Sequence, residues 1–267
     1  MIRQKDLRSR IRDGEVTIHA MLRLAEPSIA EIIALSGVDY LTIDNEHFAF
    51  SDESIQNIIR AARVHGVPCM VRPSGLNPEY IAKIMDMGAI GILAPQVDSY
   101  EEALQVVKAV KYAPEGKRGF CPISNGASYG IGIDPVQYAK DRNRETIVGL
   151  MIESREGIQD LDRILTIDEV DLIAVGPSDV SNSYGYPGQI DHPVVQEAIA
   201  QARSKVLASG KSLCGLAGTP EKAAREYQEG SRGLLIGSDV QILTGGFRQM
   251  VAEARKAAGC ALQQSSL

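Results

Sequence analysis

The feature that most constrains the fold is an alternation of short apolar segments with longer amphipathic ones. Eight segments of four to eight residues are rich in Val, Ile, Leu and Met with little polar alternation, which is typical of strands buried on both faces of a parallel sheet. The segments that follow them carry apolar residues every three or four positions, as in Ile55, Ile58 and Ile59, and this spacing indicates helices packed on one face. The predicted strands are 15–22, 40–43, 67–72, 90–94, 147–152, 171–175, 212–215 and 233–236.

Strand–helix alternation over 267 residues predicts a (β/α)8 TIM barrel. No Pro- or Ser-rich linker interrupts the pattern, so residues 1–267 are predicted to form a single domain. The alternative is a doubly wound open sheet. Such a sheet normally has a Gly-rich phosphate-binding turn after its first strand, whereas this chain has Leu-Arg-Leu-Ala-Glu at 22–26. The barrel is therefore the favoured fold.

Composition excludes several classes of protein. The net charge of −6 argues against a nucleic-acid partner, which needs a basic surface. The sequence has no apolar run of about 18 residues that would cross a membrane. No apolar segment follows the charged residues at the N-terminus, so no signal peptide is recognised and a cytoplasmic protein is expected. Cys69, Cys121, Cys214 and Cys260 are widely spaced, which predicts free thiols and neither disulfides nor a zinc cluster.

The most informative stretch follows the second predicted strand. Asp44, Glu46 and His47 come within four residues where the strand gives way to a loop. One interpretation is a solvated turn. The other is an acid/base cluster at the carboxyl end of a barrel strand, where such folds keep their chemistry. In the second interpretation His47, in its acidic setting, moves a proton near neutral pH. Asp44 is either part of that cluster or a buried hydrogen-bonding acid that shapes the turn.

Further polar residues follow other predicted strands, namely Arg72, Gln96, Glu153 and Asp179. Glu153 and Asp179 follow adjacent strands and are a natural pair of ligands for Mg²⁺ or Mn²⁺, with water and substrate as the remaining ligands. Each acid alone is also explained as a charge at a helix N-terminus. Arg72 either holds an anionic oxygen or pairs with a neighbouring acid. Residues 112–134 lack an apolar period and are predicted to form an excursion over the active site.

Several motifs together resemble a known family. They are Ile43-Asp44-Asn45-Glu46-His47, Arg72-Pro73-Ser74, Lys117-Arg118-Gly119, Ile152-Glu153-Ser154, Gly176-Pro177-Ser178-Asp179 and Gly185-Tyr186-Pro187-Gly188. In this order they resemble the signature blocks of the metal-dependent pyruvate aldolases of the HpcH/HpaI family, which include 4-hydroxy-2-oxoheptanedioate and 2-dehydro-3-deoxyglucarate aldolases. The resemblance implies a TIM barrel whose C-terminal helix packs on a neighbouring subunit, in a homohexamer built as a trimer of dimers.

The resemblance also implies how a substrate is bound. Glu153 and Asp179 would bind the divalent metal ion, Mg²⁺, Mn²⁺ or Co²⁺. Gly176 and the backbone amides of Ser178 and Asp179 would hold the carboxylate of pyruvate or oxaloacetate. The implied reaction is reversible aldol cleavage of a 4-hydroxy-2-oxo acid, of the 2-keto-3-deoxy sugar acid type, to pyruvate and an aldehyde through a metal-stabilised enolate.

Catalytic roles are implied for four further positions. Arg72 would stabilise the enolate oxygen, and His47, paired with Asp86, would transfer protons with Asp44 nearby. The sequence departs from the usual aldolase pattern at Asn45, Met151 and Met21, and in the segment 120–130. Two alternatives therefore stand beside the lyase. One is a siderophore-linked citrate synthase that condenses an acetyl thioester with oxaloacetate, and the other is a non-catalytic protein that binds a metal or a 2-oxo acid.

Overall fold

Residues 6–259, the part of the chain described by a computed structural model, contain eight parallel strands closed into a barrel in the order β1 to β8. The strands are β1 (Thr17–Leu22), β2 (Tyr40–Asp44), β3 (Cys69–Arg72), β4 (Gly91–Ala94), β5 (Ile147–Ile152), β6 (Leu172–Val175), β7 (Ser212–Leu216) and β8 (Gly233–Ser238). The helices are α1 (Leu7–Arg12), α2 (Pro27–Leu35), α3 (Asp52–Val64), α4 (Pro78–Asp86), α5 (Tyr100–Val110), α6 (Pro135–Glu145), α7 (Arg155–Ile164), α8 (Pro177–Ser183), α9 (Pro193–Ser209), α10 (Pro220–Gln228) and α11 (Asp239–Ala257).

Pairing of β8 with β1 closes the barrel, which confirms the (β/α)8 prediction and rules out the open sheet. Because the strands are parallel, their carboxyl ends lie at one end of the barrel. The register sets which side chains meet there. Asp44 on β2 pairs with Arg72 on β3, so the last residues of two neighbouring strands stand side by side.

The structure differs from the predicted elements at several boundaries. The sequence predicts Asp52 as the cap of α3, but Ser51 holds this position, since its side chain accepts a hydrogen bond from the backbone N–H of Ser54. The short helix α8 was not predicted, because its seven residues are too few to show an apolar period. The sequence predicts a last helix from Gln241 to Ala258, whereas α11 begins two residues earlier, at Asp239, with Ser238 and Gln241 forming a capping box.

The prediction that residues 112–134 cover the active site is wrong for the chain described here. Asn125 in this segment donates a hydrogen bond to the carbonyl of Met87 and accepts one from Arg63. Both partners lie at the carboxyl ends of helices, which run antiparallel to the strands in a (β/α)8 barrel. The segment therefore packs at the amino-terminal end of the barrel, opposite the catalytic end.

Two layers of apolar side chains form the core. The larger layer lies between the strands and the surrounding helices, and a smaller cluster fills the barrel interior, including Tyr40, Met70 and Leu93. His19 shares that interior. Its ring stacks on Tyr40 with a centroid distance of 4.5 Å, and its nitrogens lie 3.2 Å from Thr42 Oγ1 and 3.2 Å from Cys214 Sγ. The imidazole of His19 is buried, and none of these three partners is a carboxylate.

Three of the four cysteines lie within the described residues. Cys69, Cys121 and Cys214 are free thiols, and Cys260 lies outside the described residues. Among residues 6–259, no helix combines the length and the apolar character needed to traverse a lipid bilayer.

His19 makes stability depend on pH. Burial lowers its pKa to about 3, compared with about 6.5 in an unfolded chain. Between these values the unfolded chain binds more protons, so stability is highest above pH ~6.5 and is lost as pH falls toward ~3. We expect the wild type to lose ~2 kcal/mol through this group between pH 6.5 and 5. His19→Gln should not show that loss when urea unfolding is compared at the two pH values. Equal losses in both proteins would mean that His19 is protonated as easily in the folded state.

Candidate active site

The polar residues predicted at the strand ends meet in the mouth of the barrel. Asp44 and Arg72 end their strands, Glu153 follows β5, and Asp179 lies in the first turn of α8 after β6. Asp44, Arg72 and Glu153 are 0%, 6% and 3% exposed. Three buried charged groups at one place require compensation from one another.

The central contact is a two-pronged ion pair between Arg72 and Asp44. Arg72 Nε and Nη2 donate to Asp44 Oδ1 and Oδ2 at 2.8 and 2.7 Å, and Arg23 Nε donates to Asp44 Oδ2 at 3.0 Å. Burial alone would raise the pKa of Asp44, but hydrogen bonds from Arg72 and then Arg23 hold it below its ordinary value. Asp44 is therefore an ionised anchor for two guanidinium groups, as in the interpretation of a buried hydrogen-bonding acid.

The third nitrogen of Arg72 faces the centre of the mouth. Nη1 lies 2.8 Å from Glu46 Oε2, although Glu46 Oε2 accepts no hydrogen bond, and 3.6 Å from Met151 Sδ. Burial disfavours the charged guanidinium, but the hydrogen bonds and charge of Asp44 outweigh it, so the pKa of Arg72 is raised. Arg72 is thus a permanently charged group that Asp44 holds through two nitrogens, with its third nitrogen beside Glu46 at the centre of the mouth.

Glu153 is held at one oxygen only. Oε1 accepts the backbone N–H of Gln96 at 2.8 Å, whereas Oε2 is buried without a hydrogen-bond partner. Burial raises the pKa of Glu153 to about 7, and the nearby charges of Glu46 and Asp179 add to the rise. Gln96 adopts a left-handed conformation with φ of 50°, and its side chain donates to Glu46 Oε1 at 3.0 Å. Gln96 therefore ties the two acids together.

These groups fit a hard divalent cation. Glu153 Oε2 and Glu46 Oε2 are both buried carboxylate oxygens that lack hydrogen bonds, and Asp179 lies close enough to Glu153 to raise its pKa. Carboxylate oxygens are the ligands that Mg²⁺ and Mn²⁺ prefer. A Cβ at position 176 would lie 2.4 Å from Glu153 Oε2, so Gly176 keeps the space beside that oxygen open. Within residues 6–259 no cluster of three or more His, Cys, Asp or Glu is arranged as a complete metal site, so protein carboxylates leave most positions to other ligands.

The resemblance paired His47 with Asp86, but the two residues have other partners in this chain. His47 is exposed, with its Nε2 3.5 Å from Glu46 Oε2. It borders a cleft of about 330 Å³ that is also lined by Ser74 and Gln96. Asp86 ends α4 at the far end of the barrel, where its carboxylate pairs with Arg118. Within one chain, the acid beside His47 is Glu46.

The predicted carboxylate-binding segment lies at the start of α8. Gly176 is the N-cap of this helix and makes no side-chain capping bond, whereas Ser154 caps α7 after the preceding strand. The first-turn amides of Ser178 and Asp179 are therefore not satisfied by a capping side chain. They lie beside Glu153, since Gly176 contacts that carboxylate.

Sequence reasoning missed three contributors to the site. Glu46 was assigned only to the acid/base cluster, Gln96 was recognised as a polar residue without a role, and Arg23 was not considered. The left-handed backbone of Gln96 has no sequence signature. For Arg23 a signal did exist. Thr17, His19, Met21 and Arg23 alternate along one strand, so all four are expected on one face, and that face is the barrel interior.

The chain is similar to proteins of one known family. Residues 19–245 match the family model described as HpcH/HpaI aldolase/citrate lyase. A 2-keto-3-deoxy-L-rhamnonate aldolase from Klebsiella pneumoniae is 33% identical over 232 residues, covering 86% of each chain. Among solved structures, an HpcH/HpaI aldolase from Desulfitobacterium hafniense has a TM-score of 0.86 and 28% identity, covering 94% of this chain and 97% of its own. The citrate synthase SbnG has the same TM-score and identity, with coverage of 96% and 100%.

Gly176 provides a direct test of the cation site. In Gly176→Ala the new methyl group would displace Glu153 Oε2, since the Cβ falls 2.4 Å from it. We expect Mn²⁺ affinity, measured by calorimetry, to fall about 10-fold or more. Gly218→Ala is the matched control, because its Cβ meets nothing closer than 3.9 Å, and it should bind Mn²⁺ as the wild type does. Unchanged affinity in Gly176→Ala would show that Glu153 Oε2 is not a ligand.

Proposed function

This chain belongs to the HpcH/HpaI aldolase/citrate lyase family, and on that premise we propose that it is a divalent-metal-dependent carbon–carbon lyase. The proposed reaction is the reversible cleavage of a 4-hydroxy-2-oxo acid, of the 2-keto-3-deoxy sugar acid type, to pyruvate and an aldehyde. The observation that carries the proposal is the buried, unpartnered Glu153 Oε2 in a mouth that also holds the charged edge of Arg72.

Glu153 and Asp179 would hold the cation, with Glu46 beside them. A bound Mg²⁺, Mn²⁺ or Co²⁺ supplies Lewis-acid stabilisation of negative charge on the 2-oxo group. The raised pKa of Glu153 supports this assignment, because a carboxylate that is costly to ionise alone gains most from a cation.

The start of α8 and Arg72 would bind the pyruvate unit. The uncapped amides of Ser178 and Asp179 are donors for its carboxylate, and Gly176 leaves room for it. Arg72 presents Nη1 to the oxygen that gains charge when pyruvate becomes an enolate. Because Asp44 already fixes Arg72 through two hydrogen bonds, the guanidinium needs no reorganisation during the reaction, which is the condition for effective charge stabilisation.

His47 would move the proton at C3 of pyruvate. Its exposed ring borders the cleft lined by Ser74 and Gln96, so it is accessible to substrate. Glu46 Oε2 lies 3.5 Å from His47 Nε2, so a carboxylate adjoins the ring. A Schiff-base route has less support, since no lysine of residues 6–259 ends or directly follows a barrel strand.

A second candidate is a citrate-synthase-like condensation of an acetyl thioester with oxaloacetate. It is favoured by the likeness to SbnG, a citrate synthase. The aldolase proposal has the stronger support, because the relative from Klebsiella pneumoniae that is 33% identical is a 2-keto-3-deoxy-L-rhamnonate aldolase. Thiol release from acetyl-CoA in the presence of oxaloacetate distinguishes the two reactions.

The direct test is pyruvate release from a panel of 4-hydroxy-2-oxo acids that includes 2-keto-3-deoxy sugar acids. We expect release with Mg²⁺, Mn²⁺ or Co²⁺, none after chelation, and recovery when the cation is restored. Glu153→Gln should be inactive with every cation. Full turnover by the chelated wild type, or thiol release in place of pyruvate release, would overturn the proposal.

We also propose that the chain works as a homohexamer, a trimer of dimers in which α11 packs on a neighbouring subunit. Phe247 and Met250 on this helix are 65% and 67% exposed. Ile18 on β1 and Ile236 on β8 are each 37% exposed, which leaves apolar strand surface uncovered where a helix normally packs. Light scattering should give a hexameric mass for the wild type and a smaller one for Phe247→Glu. A monomeric wild type would contradict the proposal.

A further inference from the structure

A second guanidinium group, that of Arg23, reaches into the mouth of the barrel. Arg23 directly follows β1 and continues the inward-facing series of His19 and Met21. Its Nε donates to Asp44 Oδ2 at 3.0 Å, the same oxygen that accepts from Arg72 Nη2. Arg23 and Arg72 are therefore neighbours across one buried carboxylate.

The position of Arg23 is fixed by its surroundings. Its backbone N–H donates to both carboxylate oxygens of Asp239 at 3.0 and 3.1 Å, and the next amide, of Leu24, donates at 2.9 Å. The guanidinium carbon lies 5.1 Å from the centre of the Phe48 ring. This combination of a pinned backbone and a stacked side chain is typical of a preorganised binding group.

The outer nitrogens of Arg23 remain available. Nη1 lies 3.5 Å from Ser238 Oγ and Nη2 lies 3.9 Å from Met21 Sδ, and neither distance is that of a strong hydrogen bond. The side chain is 24% exposed, compared with 7% for Arg72. Because Arg72 already pairs with Asp44 through two hydrogen bonds, Arg23 is the second cation on one carboxylate. It retains donors and charge for a ligand.

Arg23 lies across the mouth from the proposed cation ligands. It follows β1, and Glu153 follows β5, the opposite strand in the closed barrel. The guanidinium of Arg72 lies between Arg23 and Glu153. It contacts Asp44 on one side and Met151 on the other, and Met151 precedes Glu153 by two residues. A substrate whose 2-oxo acid end lies at Glu153 and whose reacting carbon lies near Arg72 therefore extends toward Arg23.

We infer that Arg23 is a specificity-determining residue that binds a carboxylate at the far end of the acceptor aldehyde. The inference rests on the proposed lyase function and narrows its substrate class to aldehydes with a terminal carboxylate. A guanidinium with two nitrogens that make only long contacts within the protein matches the two oxygens of a carboxylate. An uncharged aldehyde leaves these donors without an acceptor, and that difference is the source of selectivity.

The test is aldol synthesis from pyruvate with two acceptors of equal length, succinic semialdehyde and its uncharged amide, 4-oxobutanamide. We expect the wild type to prefer the carboxylate. In Arg23→Gln, kcat/KM for the carboxylate should fall about 10- to 100-fold, mostly through KM, with little change for the amide. Arg23→Lys should restore part of the preference, because it restores the charge but not the paired donors.

Arg155→Gln is the matched control. Arg155 lies at the same end of the barrel after β5, where it stacks on Tyr184 and has no contact with Asp44. Its loss should leave the preference unchanged. Equal losses for both aldehydes in Arg23→Gln, or no preference in the wild type, would overturn the assignment of Arg23. Absence of aldol product with either acceptor would also overturn it if the wild type still releases pyruvate from the panel of 4-hydroxy-2-oxo acids. Absence of both activities would instead refute the lyase function itself.

Discussion

The buried contact between Asp44 and Arg72 is the interaction on which the site depends. Parallel pairing of β2 with β3 brings their last residues side by side, and burial makes the pairing obligatory, because either charge alone would be left without a partner. The contact uses two of the three nitrogens of Arg72. The third nitrogen is thereby aimed into the mouth, so the pairing of β2 with β3 also sets the direction of the charged group.

On the opposite side of the mouth lies the carboxylate of Glu153, which has a hydrogen-bond donor at only one of its two oxygens. Glu153 is buried, its pKa is raised to about 7, and one of its oxygens has no hydrogen bond. The fold keeps it in place through the backbone N–H of Gln96 and keeps the adjacent space empty through Gly176. Such an arrangement is unfavourable in isolation and would be stabilised by a cation. In the proposed mechanism, the charged guanidinium of Arg72 and the exposed imidazole of His47 would provide the other two elements of enolate chemistry.

Sequence alone predicted the barrel and the residues at the ends of its strands, because apolar periodicity and chain order determine both. It left open how those residues pair. Asp44 was either a member of an acid/base cluster or a buried hydrogen-bonding acid, and its contacts with Arg72 and Arg23 favour the second. The predicted location of residues 112–134 was wrong, because a segment without an apolar period does not reveal which end of the barrel it packs on. The contact between Asp86 and Arg118 was not predicted either, because the two residues are 32 positions apart in sequence.

We propose that the mouth of the barrel converts pyruvate to its enolate with the help of a divalent cation. Proton NMR of pyruvate in deuterated solvent measures this step without any aldehyde. We expect wild-type protein with Mg²⁺ to exchange the methyl protons for deuterium, chelation to stop the exchange, and His47→Ala to slow it while pyruvate still binds. Exchange that continues at the full rate after chelation, or that proceeds at the wild-type rate in His47→Ala, would contradict this proposal.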